Sequence, residues 1–199
     1  MTRFHRCLAA GTLAAGAAFA CAAAAQPAGA APSPQEQARM KSYAPELRAR
    51  VMKLAPETKA TLRKLEAQHP RKSANATMRQ VMQEILADYL TMAAGVAVDN
   101  AEQAADSARR LANHRVPKGG LVAYLPLAKI TDADLATLPA FNDVVEGGAL
   151  RLAEAAERGE MGKAALLLGE VLAGCVGCHQ RFRGVPGASP YLATGDAGR

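Results

Sequence analysis

The stretch Cys-Val-Gly-Cys-His at residues 175–179 combines two thiols and an imidazole at a spacing that suits covalent chemistry. On a helix, Cys175 and Cys178 lie about one turn apart, so their thiols can reach the two vinyl groups on one edge of a porphyrin. His179 then lies beneath the macrocycle, where its imidazole can bind iron. The pattern C-x-x-C-H is the signature of covalent haem attachment. It therefore predicts one covalently bound haem c.

Two other interpretations of Cys175 and Cys178 are a local disulfide with a redox role and one half of a zinc site. Thiol redox motifs usually follow a strand in a βαβ unit, and no segment of this chain has a strand pattern. Zinc takes about four ligands, whereas His69 and His114 fall in loop-like or helix-end positions. We therefore favour haem attachment.

Residues 1–25 have the three-part pattern of a secretory signal peptide. Two arginines precede an uncharged run rich in Ala, Gly and Leu, and small residues surround the expected cleavage site near Ala25. A transmembrane anchor is less favoured because the run is only weakly apolar. A lipoprotein signal ending before Cys21 has Ala18 at the position where Leu is usual. We expect a periplasmic protein, attached to the membrane only if Cys21 carries a lipid.

The charge of the exported chain narrows the class of partner. The full chain has a formal charge of +6, and removal of the signal peptide with its two arginines leaves +4. Aromatic residues make up 4% of the chain and Trp is absent, which argues against a stacking platform for nucleic acid. We expect acidic redox partner proteins and no nucleic acid. The sequence does not decide between a monomer and a homodimer.

Composition divides the chain into segments around one main domain. Residues 26–40 are rich in Pro, Ala and Gln and are predicted to form a flexible leader, and residues 187–199 form a C-terminal tail. Residues 41–72 form an N-terminal helical extension, which we expect to be a hairpin packed on the main domain or on a partner. The main domain comprises residues 73–186.

The main domain is predicted to contain four helices, at about residues 76–98, 101–114, 131–158 and 161–183. The third is broken or restarted at Pro139. The predicted N-caps of the first three helices are Asn75, Asp99 or Asn100, and Thr131. Residues 115–133 form one long connection, and the other two are short. This order fits an all-α, antiparallel four-helix bundle.

Two of these helices have apolar faces that include residues able to bind iron. The face of the first helix consists of Met78, Met82, Ile85, Tyr89 and Met92. The face of the fourth consists of Leu168, Leu172, Cys175, His179 and Phe182. The sequence thus predicts that the haem motif faces the bundle interior.

Residues 76–186 resemble the class II c-type cytochromes, which include cytochrome c′ and the low-spin cytochromes of the c-556 type. Cys175, Cys178 and His179 match the haem-binding motif of that family, and Phe182 with Arg183 match the aromatic–arginine pair that often follows it. The resemblance implies a four-helix bundle with one covalent haem and His179 as the proximal iron ligand.

The resemblance leaves the second axial ligand open. The c-556 type has a Met on the first bundle helix, whereas cytochrome c′ usually has an apolar residue there and an open iron position. Met82 is our candidate, and Met78, one turn earlier, is the alternative. Core filling is the ordinary role of a methionine face. Tyr89 and Phe141 line the haem or simply fill the core.

Three functions follow from a haem in this setting. A His/Met pair favours an electron carrier, because the ligands stay the same in both redox states. An open iron position favours a protein that binds NO or CO. A haem enzyme is least favoured, because no acid–base group lies on the inner face of the first helix. We therefore expect a carrier, not an enzyme, with Lys163, Arg181 and Arg183 steering its partner.

Overall fold

The structure is a computed structural model that describes residues 33–183. Within these residues the chain is helical and forms no strand, which confirms the predicted all-α class. The predicted signal peptide, the first part of the leader and the C-terminal tail lie outside the described residues.

The helices follow one another through the described part of the chain with short connections, except between α3 and α4 and between α5 and α6. Their bounds are α1 Pro34–Lys41, α2 Pro45–Lys53, α3 Pro56–Ala67, α4 Met78–Ala97, α5 Ala101–Ala112, α6 Asp132–Leu135, α7 Leu138–Asn142, α8 Gly148–Glu157 and α9 Met161–Phe182. A 3-10 helix spans Leu121–Tyr124 in the long connection, and a π-helical segment spans Asp143–Gly147 between α7 and α8.

Side-chain caps fix the beginnings of α4, α5 and α6. The hydroxyl of Thr131 accepts a hydrogen bond from the Asp134 N–H, as predicted. The predicted N-cap of the first helix, Asn75, is two residues too early. Thr77 begins α4 instead, because it forms a reciprocal capping box with Gln80. Asn100 caps α5 by accepting from the Gln103 N–H.

The predicted flexible leader is wrong over residues 34–40, which form α1 with Lys41. Ser33 and Glu36 make a complete capping box at its start, and Pro34 occupies a first-turn position that suits proline. Local capping therefore determines the structure here, despite a composition typical of linkers.

Helices α4, α5, α8 and α9 surround one core. Each packs against the next in chain order, and α9 also packs against α4. Small residues on α5 and α8 allow close approach. At the α4–α5 corner, a Cβ on Gly95 would lie 2.6 Å from the Ala104 backbone nitrogen. The buried residues of this core include Met92, Ala104, Ala108, Leu111, Leu152, Ala156, Ala164 and Val171.

A second core joins the N-terminal extension to the main domain. Leu47 of α2 and Leu62 and Leu65 of α3 pack with the 3-10 helix, with α6 and α7, and with Phe182 at the end of α9. The Tyr43 hydroxyl donates to the Gly119 carbonyl at 2.7 Å. The extension therefore packs on the chain's own C-terminal helix.

The predicted third helix is divided into α6, α7, the π-helical segment and α8. π-Helical turns widen the backbone locally and are frequent at functional sites. The segment packs against α9, where a Cβ on Gly174 would lie 2.6 Å from Val144 Cγ1 and 2.9 Å from Val145 Cγ2. At Gly148, a Cβ would lie 3.0 Å from Val171 Cγ2. Glycines thus bring the third helical region onto α9.

Helix α9 is long and apolar enough to cross a membrane, by length and composition alone. The same features suit a core helix. Ala164, Leu167 and Val171 belong to the first core, and Phe182 belongs to the second.

Candidate functional site

The Cys-Val-Gly-Cys-His stretch occupies the last two turns of α9 and forms part of the wall of a cavity. Cys175 and Cys178 are half-buried, and His179 is exposed to solvent. All three line a cavity of about 380 Å³ between α4 and α9. The structure thus brings the predicted cysteines and histidine to one apolar space.

The opposite wall of this cavity is the predicted apolar face of α4. Met78, Met82, Ile85 and Tyr89 line the cavity and are half-buried, whereas Met92 is fully buried in the first core. Both candidate methionines therefore reach the same space as His179. The Tyr89 hydroxyl donates to the Leu168 carbonyl at 3.4 Å, so it joins the two walls.

The apolar lining continues to the surface. Leu86 of α4 and Leu172 and Val176 of α9 line the cavity, yet each side chain is about half exposed. Apolar side chains left at the edge of a groove are typical of a ligand-binding site. A larger cavity, of about 500 Å³, has a more polar wall and none of the predicted site residues; it is lined by residues that include Thr61, Lys64, Gln68, Asn142 and Asp143.

The two residues that follow the haem motif lie beside the cavity. Phe182 is buried in the second core, where its ring meets that of Phe141 edge-on at a centroid distance of 5.7 Å. Phe141 itself lines the cavity and lies against Gly177, where a Cβ would be 3.0 Å from its ring. Phe182 thus supports the wall through Phe141. Arg183 is exposed, and its backbone N–H donates to the His179 carbonyl at 3.0 Å.

The two thiols do not have the character of redox-active cysteines. Burial raises the pKa of the Cys175 thiol. Burial, followed by the nearby Cys175, raises the pKa of Cys178. Reactive dithiols have lowered pKa values instead. The two sulfurs are not joined in a disulfide.

The same cavity contains a polar cluster that the sequence did not reveal. His69 follows α3, His114 follows α5, and Glu146 belongs to the π-helical segment. Nε2 of His69 lies 2.7 Å from Oε1 of Glu146, and Nε2 of His114 lies 3.0 Å from the same oxygen. All three residues line the cavity. His114 lies just beyond the end of α5, at the helix-end position expected from the sequence, and contacts a carboxylate.

Hydrogen bonding in this cluster shifts the pKa values of Glu146 and His69. Burial alone would raise the pKa of Glu146, but hydrogen bonds from His114 and His69 outweigh it and the pKa is lowered. The hydrogen bond with Glu146 raises the pKa of His69, against the opposing effect of burial. The hydrogen bonds thus oppose the effect of burial at Glu146 and at His69.

The predicted steering residues are exposed, but two of them have acidic partners. Arg181 forms an ion pair with Asp134, and Lys163 Nζ lies 3.6 Å from Glu160 Oε2. Such partners neutralise much of the field that a lone cation would present. Among residues 33–183 no carboxylate forms an ion pair with Arg183, so it is the strongest of the three steering candidates within the described part of the chain.

Comparison with known proteins adds no family assignment: no protein-family model, curated protein or solved structure matches this chain.

Proposed function

We propose that this protein is an exported mono-haem c-type cytochrome that carries single electrons. Its haem is attached through Cys175 and Cys178, with His179 as the proximal iron ligand and Met82 as the second ligand. Helices α4, α5, α8 and α9 form the four-helix bundle that holds it.

One observation carries this proposal. The complete Cys-x-x-Cys-His stretch lines an apolar cavity whose opposite wall is a methionine-bearing face of α4. A core-filling role for α9 would bury this face, yet Leu172, Val176 and His179 remain substantially exposed. A large apolar ligand bound between the two helices explains why this face is apolar.

The residues present suit a haem. A cavity of about 380 Å³ falls within the range of about 300–1,000 Å³ for ligand sites. Two half-buried thiols and an imidazole on one helix supply the donor types required for thioether attachment and iron ligation. Methionine sulfur is the donor of cytochromes that carry electrons at raised potential.

The residues of the protein hold the haem and determine what surrounds it. A haem supplies one-electron transfer at its iron. His179 and Met82 would keep the same two ligands in both oxidation states, so little reorganisation accompanies transfer. The Tyr89–Leu168 hydrogen bond ties α4 to α9 and keeps the cavity walls together. Apolar side chains exclude water from the methionine side.

Location and partners follow from the N-terminal sequence and the charge. The signal-like residues 1–25 support export to the periplasm. The charge of the exported chain favours an acidic redox protein as partner, which would dock where the cavity opens to solvent.

The absorption spectrum of the reduced protein, recorded with and without CO, tests the carrier function. We expect a low-spin spectrum that changes little when CO is added, because a thioether occupies the sixth position. A high-spin spectrum with ready CO uptake would contradict the carrier function and favour a five-coordinate protein that binds NO or CO.

A further inference from the structure

The cluster of His69, His114 and Glu146 contains the donor atoms of a metal site. The three ligand atoms lie within 4.8 Å of one another, although the residues are far apart in sequence. None of the three takes part in the proposed haem attachment. The cluster therefore requires an explanation of its own.

Hydrogen bonds to the backbone fix which nitrogen of each imidazole faces the carboxylate. Nδ1 of His69 lies 2.8 Å from the Leu65 carbonyl, and Nδ1 of His114 lies 3.0 Å from the Arg115 carbonyl. A carbonyl oxygen only accepts hydrogen bonds, so Nδ1 carries the proton in both rings. In the neutral imidazoles, each Nε2 therefore presents a lone pair.

When both imidazoles are neutral, two Nε2 lone pairs face one carboxylate oxygen, which is itself an acceptor. Three electron-rich atoms this close repel one another unless a cation lies among them. Two additional protons, one on each Nε2, remove this repulsion. A single metal ion among the three atoms also removes it. A hydrogen bond from Nδ1–H to a backbone carbonyl is the usual support of a metal-binding histidine.

We propose that His69 Nε2, His114 Nε2 and the Glu146 carboxylate bind one divalent first-row transition-metal ion such as Zn²⁺, separate from the haem. Two imidazoles and a carboxylate, with one position left open, form a known zinc ligand set. Tetrahedral bonds of about 2.0–2.1 Å place neighbouring ligand atoms about 3.3 Å apart. The two N–O distances of 2.7 and 3.0 Å are slightly shorter than this, and the widest separation among the three ligand atoms, up to 4.8 Å, is longer. Binding therefore requires a rotation of Glu146 and a closer approach of the two imidazoles.

The backbone around the two histidines positions the site in advance. An isolated parallel bridge joins Lys72 to Val116, just after each histidine. The Val116 N–H donates to the Arg71 carbonyl at 2.8 Å, and the Ser73 N–H donates to the Val116 carbonyl at 3.0 Å. This pairing holds both histidine-bearing segments in register. Glu146 also lines the separate cavity of about 500 Å³, which the haem does not occupy and which provides an entry path and space for a water at the open position.

Zinc titration of the mature protein, carrying its haem, tests this site at neutral pH. Isothermal titration calorimetry should give one Zn²⁺ per chain, and Zn K-edge absorption should report nitrogen and oxygen ligands at about 2.0–2.1 Å. His114→Ala and Glu146→Gln should each weaken binding at least about tenfold. The matched control is Glu154→Gln, since Glu154 is an exposed carboxylate on α8, and its affinity should equal that of the unmodified protein.

Several results would overturn the metal site. One is the absence of stoichiometric Zn²⁺ binding. Another is equal loss of affinity in Glu154→Gln, which would indicate scattered surface carboxylates. A third is a changed haem spectrum in His114→Ala, which would make that histidine a haem ligand. If a cluster variant fails to fold, the K-edge spectrum of the unmodified protein still decides. Haem attachment is measured separately, by solvent extraction, so the metal site and the haem attachment can be refuted independently.

Discussion

Replacing Gly174 with alanine adds one methyl group where α9 meets the π-helical segment that contributes Val145 and Glu146 to the cavity. The new Cβ would lie 2.6 Å from Val144 Cγ1 and 2.9 Å from Val145 Cγ2. Carbon atoms in ordinary contact are about 3.5–4.0 Å apart, so both valines must move by up to about 1 Å.

Neither valine can move freely. A β-branched side chain in a helical turn has one strongly preferred rotamer, and leaving it costs about 0.5–1.5 kcal/mol. Two such changes, or an equivalent shift of the backbone, give about 1–3 kcal/mol, which is the usual cost of overpacking. Replacing a helical glycine with alanine also stabilises by about 1 kcal/mol, so Gly174→Ala alone gives a partly cancelled effect.

Gly169→Ala removes this ambiguity because it is the same change on the same helix in open space. A Cβ on Gly169 meets nothing within 4 Å. Its free energy of unfolding should rise by about 0.5–1 kcal/mol. The difference between the two variants then isolates the steric cost, so Gly174→Ala should be less stable than Gly169→Ala by about 1–3 kcal/mol.

Equilibrium urea unfolding, followed by circular dichroism at the helix band, measures both free energies. For a chain of this size, the difference corresponds to about 2–12 °C in melting temperature. Equal stabilisation of the two variants would show that α9 does not approach the π-helical segment closely. The packing that shapes this side of the cavity would then be wrong.

Three further changes test other parts of the structure. Met82→Ala should open the iron to CO and lower the reduction potential, whereas Met78→Ala should do much less. A larger effect from Met78→Ala would show that the ligand is Met78, one turn earlier on α4. Burial raises the pKa of Tyr43 to about 12, so the unfolded chain loses this proton first, near pH 10. Stability should therefore fall by roughly 1–3 kcal/mol between about pH 10 and 12, measured by urea unfolding; an equal fall in Tyr43→Phe would refute this cause. Thr77→Ala removes the α4 cap and should cost about 0.5–2 kcal/mol in the same assay, whereas Asn75→Ala should cost less.

Local signals determined the parts of the fold that the sequence predicted. Thr131 caps α6 as predicted. The expected helical extension is also present, and its helices α2 and α3 begin at Pro45 and Pro56 because proline suits the first turn and needs only neighbouring backbone. The start of α1 has the same kind of signal in Ser33 and Glu36. Its linker-like composition concealed that signal.

The π-helical segment had no local signal. Its widened turn lies where Val144 and Val145 meet Gly174 of α9, which is a contact between distant parts of the chain. The close approach of Gly148 to Val171 is likewise a contact between distant parts of the chain.

The two groups of candidate site residues differ in the same way. Cys175, Cys178 and His179 are neighbours in sequence, and their spacing alone predicts the chemistry. His69, His114 and Glu146 come from three separate segments. Each looked like an isolated polar residue, so only the folded structure brings these donors together.

Extraction of the purified mature protein with acidic organic solvent, followed by mass spectrometry of the chain, tests the central claim most directly. Thioether bonds survive this treatment, so we predict that the haem stays with the protein and adds its mass to the peptide containing Cys175 and Cys178. The Cys175→Ser/Cys178→Ser variant should release any haem that it binds. Full release of haem by the unmodified protein, or a chain that never carries haem, would contradict the proposal.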